Sequence, residues 1–174
     1  MEHTEGTLKN KPLIYPYEYE QASKSYLMAV VAIIAGIPLP VINLIASIGY
    51  YLAYRKSTYF VRWHCIQSVI GQALLIPFNS IAITWTVKNI YYNSERLFSN
   101  GSDNIDLDAI NFFQVTSSYF FPYITFVILL NIAEFIIVIR TASRVANGNN
   151  VRWWGIARLT DMICSKKDRN PYTI

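Results

Sequence analysis

Long apolar runs separated by short charged stretches dominate the chain. The first run, residues 26–54, contains no charged residue and is interrupted by Pro38 and Pro40. Because proline removes an amide donor and clashes with the preceding turn of a helix, this run is predicted to form two short helices, 26–37 and 41–54, joined by a tight turn. A single straight helix over the whole run would be about 43 Å long at 1.5 Å per residue.

Two further apolar runs, residues 63–87 and 118–139, lie in the second half of the chain. Each is long enough to cross the hydrocarbon layer of a bilayer, which is about 30 Å thick, and the polar residues 88–117 connect them as an outer loop. We therefore expect an all-α integral membrane protein with four hydrophobic helical segments, of which the first two form a short proline-marked hairpin. The pattern leaves open whether residues 26–54 span the membrane fully or form a shallow hairpin.

Polar segments flank the membrane domain of residues 26–140. Residues 1–25 are predicted to be a polar tail, and residues 141–174 an amphipathic helix with a charged tail. Tryptophans and arginines mix in this last segment, which is typical of a helix lying in the membrane interface; a helix that docks on a partner protein is the alternative. The residues concerned are Arg152, Trp153, Trp154 and Arg158.

Composition and charge agree with a membrane protein. Hydrophobic residues make up 53% of the chain and charged residues 15%, whereas soluble domains carry about 25% charged residues. Of the 15 lysines and arginines, 13 lie in residues 1–25, 55–62 and 140–174, and the outer loop keeps Lys88 and Arg96. This asymmetry places both termini on the cytoplasmic side. The basic residues form no stripe, so nucleic acid is not expected as a partner.

Several polar residues lie within the apolar segments, and Glu134 is the only acid among them. An ionisable group at such a position is costly and needs a partner. We interpret these residues as a structural polar seam between the third and fourth segments, because polar side chains at helical spacing hold membrane helices together. A wet path for a transported substrate and a route for protons are the alternatives. The seam comprises His64, Gln67, Ser68, Gln72, Asn131 and Glu134.

The sequence offers no recognisable catalytic motif. The two histidines and the two cysteines, Cys65 and Cys164, match no metal-binding or redox spacing. We therefore expect no enzymatic activity, no catalytic or metal-binding residues, no cofactor and no small-molecule substrate.

Three stretches of the chain together resemble a known family. The most distinctive is Ser57–Ser68, in which Val61, Arg62 and His64 precede Gln67; the other two are Pro38–Ile45 and Ala142–Ala157. They resemble a family of small four-span bacterial membrane proteins that is similar to the channel-associated subunit of the chloroplast inner-envelope protein-import machinery. The resemblance covers roughly residues 25–160. The sequence departs from this family in Cys65, where alanine is expected, and in its long outer loop.

The resemblance implies a protein of a bacterial inner membrane, or of an organelle membrane of bacterial origin. Its partners would be the lipid bilayer and other membrane protein subunits. The implied function is that of a non-enzymatic subunit of a larger membrane complex, in protein translocation or secretion. A small oligomeric transporter or channel, with Gln67 and Glu134 lining a path, is the alternative.

Overall fold

The computed structural model describes residues 14–31, 40–100 and 118–164. All regular secondary structure within these ranges is helical, which confirms the prediction of an all-α protein. A short 3-10 turn, Met28–Val30, follows the first helix directly. The helices are α1 (Pro16–Leu27), α2 (Pro40–Tyr54), α3 (Tyr59–Asn100), α4 (Phe120–Ala146) and α5 (Ile156–Cys164).

Two of the described helices, rather than four, are long and apolar enough to cross a membrane. They are α3, over Tyr59–Tyr91, and α4, over its whole length. Helix α2 is apolar, but its 15 residues reach only about 22 Å at 1.5 Å per residue. The predicted helix 26–37 does not begin at residue 26, because residues 26 and 27 are the end of α1 and the 3-10 turn follows; residues 32–37 lie outside the described residues. Two long apolar helices indicate association with a membrane, and of the four expected hydrophobic segments these two alone are long enough among the described residues to cross it.

Helix α1 begins within the stretch 1–25 that the sequence analysis predicts to be a polar tail. Its first turn is closed by the carboxylate of Glu18, which accepts a hydrogen bond from the backbone N–H of Tyr15 at 2.6 Å. Pro16 stands at the start of the helix, where a missing N–H costs nothing. Polar residues therefore form a helix here because local capping supports it and because one face is buried.

Helices α3 and α4 both extend beyond their predicted limits. Helix α3 continues from the predicted end at residue 87 to Asn100, because no glycine or proline interrupts the chain before Gly101. The remainder of the predicted loop, 101–117, lies outside the described residues. Helix α4 continues past Arg140 to Ala146, since the residues beyond Arg140 still include buried apolar side chains such as Val145.

The described chain divides into two compact units. The first contains described residues of Met1–Ala73 and Ile137–Ile174, and the second is Leu74–Ile136. In the first unit, one face of α1 packs against the start of α3 and the end of α4. The buried side chains of that core are Ala22, Tyr26, Ala29, Val30, Phe60, Val138, Ala142 and Val145.

The second unit is an antiparallel pair formed by parts of α3 and α4. Asn79 and Asn131 exchange two side-chain hydrogen bonds, with N···O distances of 3.3 and 2.8 Å. Towards one end of the pair, the Trp85 ring packs edge-on against Phe120 with centroids 5.6 Å apart. The pairing is therefore specified by one reciprocal amide contact and by aromatic rings beside it.

Candidate functional site: a polar junction around Gln67

The first turns of α3 carry the most distinctive motif of the sequence. Val61, His64 and Gln67 are fully buried, and the Arg62 guanidinium lies 5.8 Å from the centroid of the Tyr59 ring. His64 and Gln67 are three residues apart, so their side chains leave the same face of the helix. Two polar side chains are thereby directed together into the protein interior.

The side-chain amide of Gln67 joins three separate segments of the chain. Its nitrogen donates to the Tyr26 hydroxyl at 2.8 Å and to the Val151 carbonyl at 3.2 Å. Its oxygen accepts the backbone N–H of Trp153 at 3.2 Å. Both amide hydrogens and the carbonyl oxygen are thus engaged. Gln67 fixes α1 and the connector between α4 and α5 to the start of α3.

The neighbouring His64 is held by the same hydroxyl group. Its Nδ1 atom lies 2.8 Å from the Tyr26 oxygen, which already accepts a hydrogen bond from Gln67. Because Tyr26 then donates its single hydrogen to Nδ1, a neutral His64 carries its own proton on Nε2. The Trp63 ring packs edge-on against the imidazole at 5.0 Å, and the Asn150 side chain lies close to it.

Trp153 forms a wedge between α3 and α4 in this unit. Its indole N–H donates to the Thr141 hydroxyl at 2.9 Å, and its ring centroid lies 5.4 Å from that of Tyr26. The ring also lies directly against Gly71, where an added Cβ would come within 2.5 Å of the Trp153 Cζ3 atom. Any larger residue at position 71 would displace the tryptophan.

Two serines of α1 and one of α3 complete the junction. The Ser68 hydroxyl donates to the Ser25 carbonyl at 2.9 Å, and the Ser23 hydroxyl donates to the Ala142 carbonyl at 2.8 Å. Ser23, Ser25 and Ser68 are all buried. Small hydroxyl side chains of this kind allow close approach of helices and supply hydrogen bonds between them.

A second set of contacts fastens α5 to α3. The indole N–H of Trp63 donates to the Asp161 carboxylate at 2.8 Å, and the same carboxylate forms an ion pair with Arg152. The Arg152 guanidinium lies 5.1 Å from the centroid of the Trp63 ring. Ala157 and Cys164 pack against Trp63 from α5. Burial raises the pKa of the Cys164 thiol to about 11, so this cysteine stays protonated near neutral pH.

The predicted seam residues belong to both compact units. His64, Gln67, Ser68 and Gln72 lie in the first unit and are buried. Asn131 and the half-buried Glu134 lie in the second, where Asn131 binds Asn79. The predicted interfacial residues also differ from one another, because Arg152 and Trp153 take part in internal contacts. Trp154 and Arg158, in contrast, are exposed.

Sequence reasoning missed the residues that complete the junction. Tyr26 looked like the first residue of an apolar segment, and nothing in its immediate neighbours marks it as the partner of His64 and Gln67. Asp161 was similarly overlooked. A usable signal for Asp161 was its charge, which is opposite to that of Arg152 nine residues earlier. The chain turns between them at Gly155, where φ is +82°.

The arrangement is a hydrogen-bonded junction that fixes the two flanking segments of the chain to α3. Among the described residues, no group of three or more His, Cys, Asp and Glu side chains is placed to hold a metal ion. In comparisons with protein-family models, curated proteins and solved structures, no match to this chain was found.

Proposed function

We propose that this chain is a non-enzymatic integral membrane subunit of a larger membrane complex concerned with protein translocation or secretion. The observation that carries the proposal is the open surface of α4. The most apolar stretch of this helix has a mean hydropathy of 2.2, and only 11% of that stretch is buried within the protein. A helix this apolar and this exposed requires lipid or neighbouring helices around it. The exposed side chains include Phe126, Ile128, Leu129, Ile132, Ile136 and Ile137.

In the proposed arrangement, α3 and α4 are the two helices that cross the membrane fully. Asn131 lies near the middle of the stretch between the start of α4 at Phe120 and Arg140. Its hydrogen-bonded partner Asn79 precedes Lys88 by nine residues of α3, about 14 Å at 1.5 Å per residue. Lys88 and Arg140 therefore mark opposite ends of the hydrocarbon layer. The membrane is the inner membrane of a bacterium or a membrane of bacterial origin, with both termini cytoplasmic.

Helix α2 enters this membrane only partway. The Tyr50 hydroxyl of α2 donates to the backbone carbonyl of Gln21 on α1 at 2.9 Å. The two helices are therefore neighbours at the level where the charged connector after Tyr54 begins. From that level α2 reaches about 22 Å, which is less than the full hydrocarbon thickness. Because Gln21 and Tyr50 are in contact, the start of α1 and the end of α2 lie on one side of the membrane, which agrees with the orientation indicated by the basic residues.

The junction favours a structural subunit over a transporter. The amide of Gln67 is fully engaged by Tyr26, Val151 and Trp153, so it offers no free group to a passing substrate. The assignment to translocation or secretion rests on the resemblance of three stretches, Ser57–Ser68 above all, to the small four-span bacterial proteins that are similar to the channel-associated subunit of the chloroplast import machinery. In the proposed function, this motif builds the junction that holds the carboxyl-terminal segment in place.

Photo-crosslinking in native membranes tests the proposal. A photoreactive amino acid is placed at Leu129 and Ile132, which are 60% and 51% exposed, and at the matched control Val127, which is 5% exposed. We expect discrete adducts with the same membrane protein from both exposed positions and none from Val127. Adducts with lipid alone at both exposed positions would contradict a complex.

A second arm of the same experiment addresses translocation. A secreted precursor polypeptide is stalled during export while the photoreactive group sits at Ile132. Adducts that contain the precursor, or that form with a subunit carrying it, are expected. If the neighbouring subunit is captured but no precursor accompanies it, the complex stands and the role in translocation is wrong.

A further inference from the structure

Helix α5 presents two chemically distinct faces. Ala157, Thr160 and Cys164 are buried on the face directed towards α3. On the other face Leu159, Met162 and Ile163 are 45%, 63% and 48% exposed. Three large apolar side chains within five residues of a nine-residue helix are thus about half exposed or more.

The two tryptophans that precede α5 also differ from each other in burial. Trp153 is hydrogen-bonded and wedged beside Gly71, whereas the side chain of Trp154 is 101% exposed. A completely exposed indole gains nothing from the fold of its own chain. Tryptophan is enriched where one part of the ring meets apolar groups and the other meets water, as at the headgroup level of a membrane.

Charge identifies the surface that this face fits. Among the described residues of the first unit, eight are lysine or arginine and three are aspartate or glutamate. Two of those acids each pair with one of the bases, Glu20 with Lys24 and Asp161 with Arg152, so these pairs leave the excess of basic residues unchanged. Arg158 is exposed on α5 itself. A basic surface with exposed apolar side chains is complementary to anionic lipid.

We propose that Trp154 and the outer face of α5 bind the anionic headgroup layer of the membrane on its cytoplasmic side, with Arg158 contacting lipid phosphate. The inference rests on the proposed membrane placement of α3. Trp63, which fixes α5 through Asp161, lies in the first turns of the membrane-crossing segment Tyr59–Tyr91. The contacts of Asp161 with Trp63 and Arg152 therefore hold α5 where that segment begins, at the headgroup level. Its apolar side chains enter the interface without any further ordering of the helix.

A fluorescent probe at position 154 tests the proposal in the full-length protein. Cys65 and Cys164 are buried, so the variant Trp154→Cys directs a thiol-reactive probe to position 154 in the folded protein. The labelled protein is reconstituted into phosphatidylcholine vesicles with and without phosphatidylglycerol. Quenching by aqueous iodide is compared with quenching by lipids that carry a headgroup-level nitroxide. The same probe at Asn149, in the exposed polar turn after α4, is the control.

We expect iodide to quench the probe at 154 several-fold less than the probe at 149, and the nitroxide lipid to show the opposite order. Phosphatidylglycerol should increase the protection at 154. Arg158→Gln should remove that increase, whereas Lys88→Gln, which removes one exposed charge from the second unit, should not.

Equal iodide quenching at positions 154 and 149 would overturn the proposal and leave the face of α5 available to a protein. Protection that is independent of phosphatidylglycerol and of Arg158 would equally overturn it. Release of the chain from membranes by alkaline carbonate is a separate result, because it contradicts the membrane placement on which the proposed function depends.

Discussion

Gly71 and Trp153 are complementary in shape, since a Cβ atom at position 71 would lie 2.5 Å from Cζ3 of the indole ring. The two residues are far apart in the sequence, and their contact places the connector between α4 and α5 directly against α3. The same tryptophan binds Thr141 through its indole N–H and Gln67 through its backbone N–H. A single aromatic residue thus joins both long helices of the first unit.

Gly71→Ala should therefore destabilise the protein by about 1–3 kcal/mol, the usual cost of forcing an extra methyl group into a packed interior. Thermal unfolding in detergent measures the change. Gly49→Ala is the matched control, because Gly49 lies within α2 and has no atom within 4 Å of the added Cβ. That variant should be neutral or more stable, as alanine favours helices over glycine. Equal losses in the two variants would show that the Gly71 contact has no special role.

Gln67→Leu should be more damaging than the loss of any one of its three partners alone. It leaves the Val151 carbonyl, the Trp153 N–H and the Tyr26 hydroxyl without their bonds to the amide, and each buried polar group left unpaired costs about 1–3 kcal/mol.

A double-mutant cycle with Tyr26→Phe isolates the bond between the two side chains. Because the two residues are in direct contact, the combined loss should be smaller than the sum of the single losses. Additive losses within experimental error would mean that Tyr26 and Gln67 act independently.

The pairing of Asn79 with Asn131 should contribute modestly to stability. Hydrogen bonds between helices in membranes average about 0.6 kcal/mol in mutant cycles, so Asn79→Leu should cost roughly this amount per lost bond. Ser80→Leu, which changes an exposed neighbour on α3, should have no effect. Unfolding of the reconstituted protein provides the comparison, and an undisturbed Asn79→Leu variant would argue against the reciprocal pair.

Loss of the contacts that Asp161 makes with Trp63 and Arg152 should expose Cys164 to thiol reagents. Burial holds the pKa of this thiol at about 11, so near pH 8 little reactive thiolate is present. Asp161→Ala removes the acceptor of Trp63 and the partner of Arg152, and α5 should then open more often. In a Cys65→Ala background, labelling of Cys164 at pH 8 should become faster, and the pH at which the rate levels off should fall towards the ordinary range. An unchanged labelling profile would show that Asp161 does not hold α5 in place.

The sequence was sufficient for the helical fold and for the two long apolar helices, because length and apolar composition determine them locally. It also singled out His64, Gln67 and Ser68, but as part of a seam towards the fourth segment, whereas their hydrogen bonds described above go to α1 and to the connector after α4. The sequence did not predict the partners of these residues, because Tyr26, Val151 and Trp153 are brought to α3 by the tertiary fold. The predicted limits of α1 and α3 are wrong for a related reason: polar composition predicts a loop, whereas capping at Glu18 and the absence of glycine or proline between residues 87 and 101 favour helix.

Sided cysteine labelling of intact cells tests the membrane placement most directly. Single reactive cysteines are introduced at Lys9, at Asp106 between the two proposed spans, and at Asn149 after α4 in a background where Cys65 and Cys164 remain buried. The account predicts that a membrane-impermeant reagent labels position 106 in intact cells, and positions 9 and 149 only after the cells are opened. Labelling of positions 106 and 149 from the same side, or of positions 9 and 149 from opposite sides, would contradict two spans with both termini in the cytoplasm.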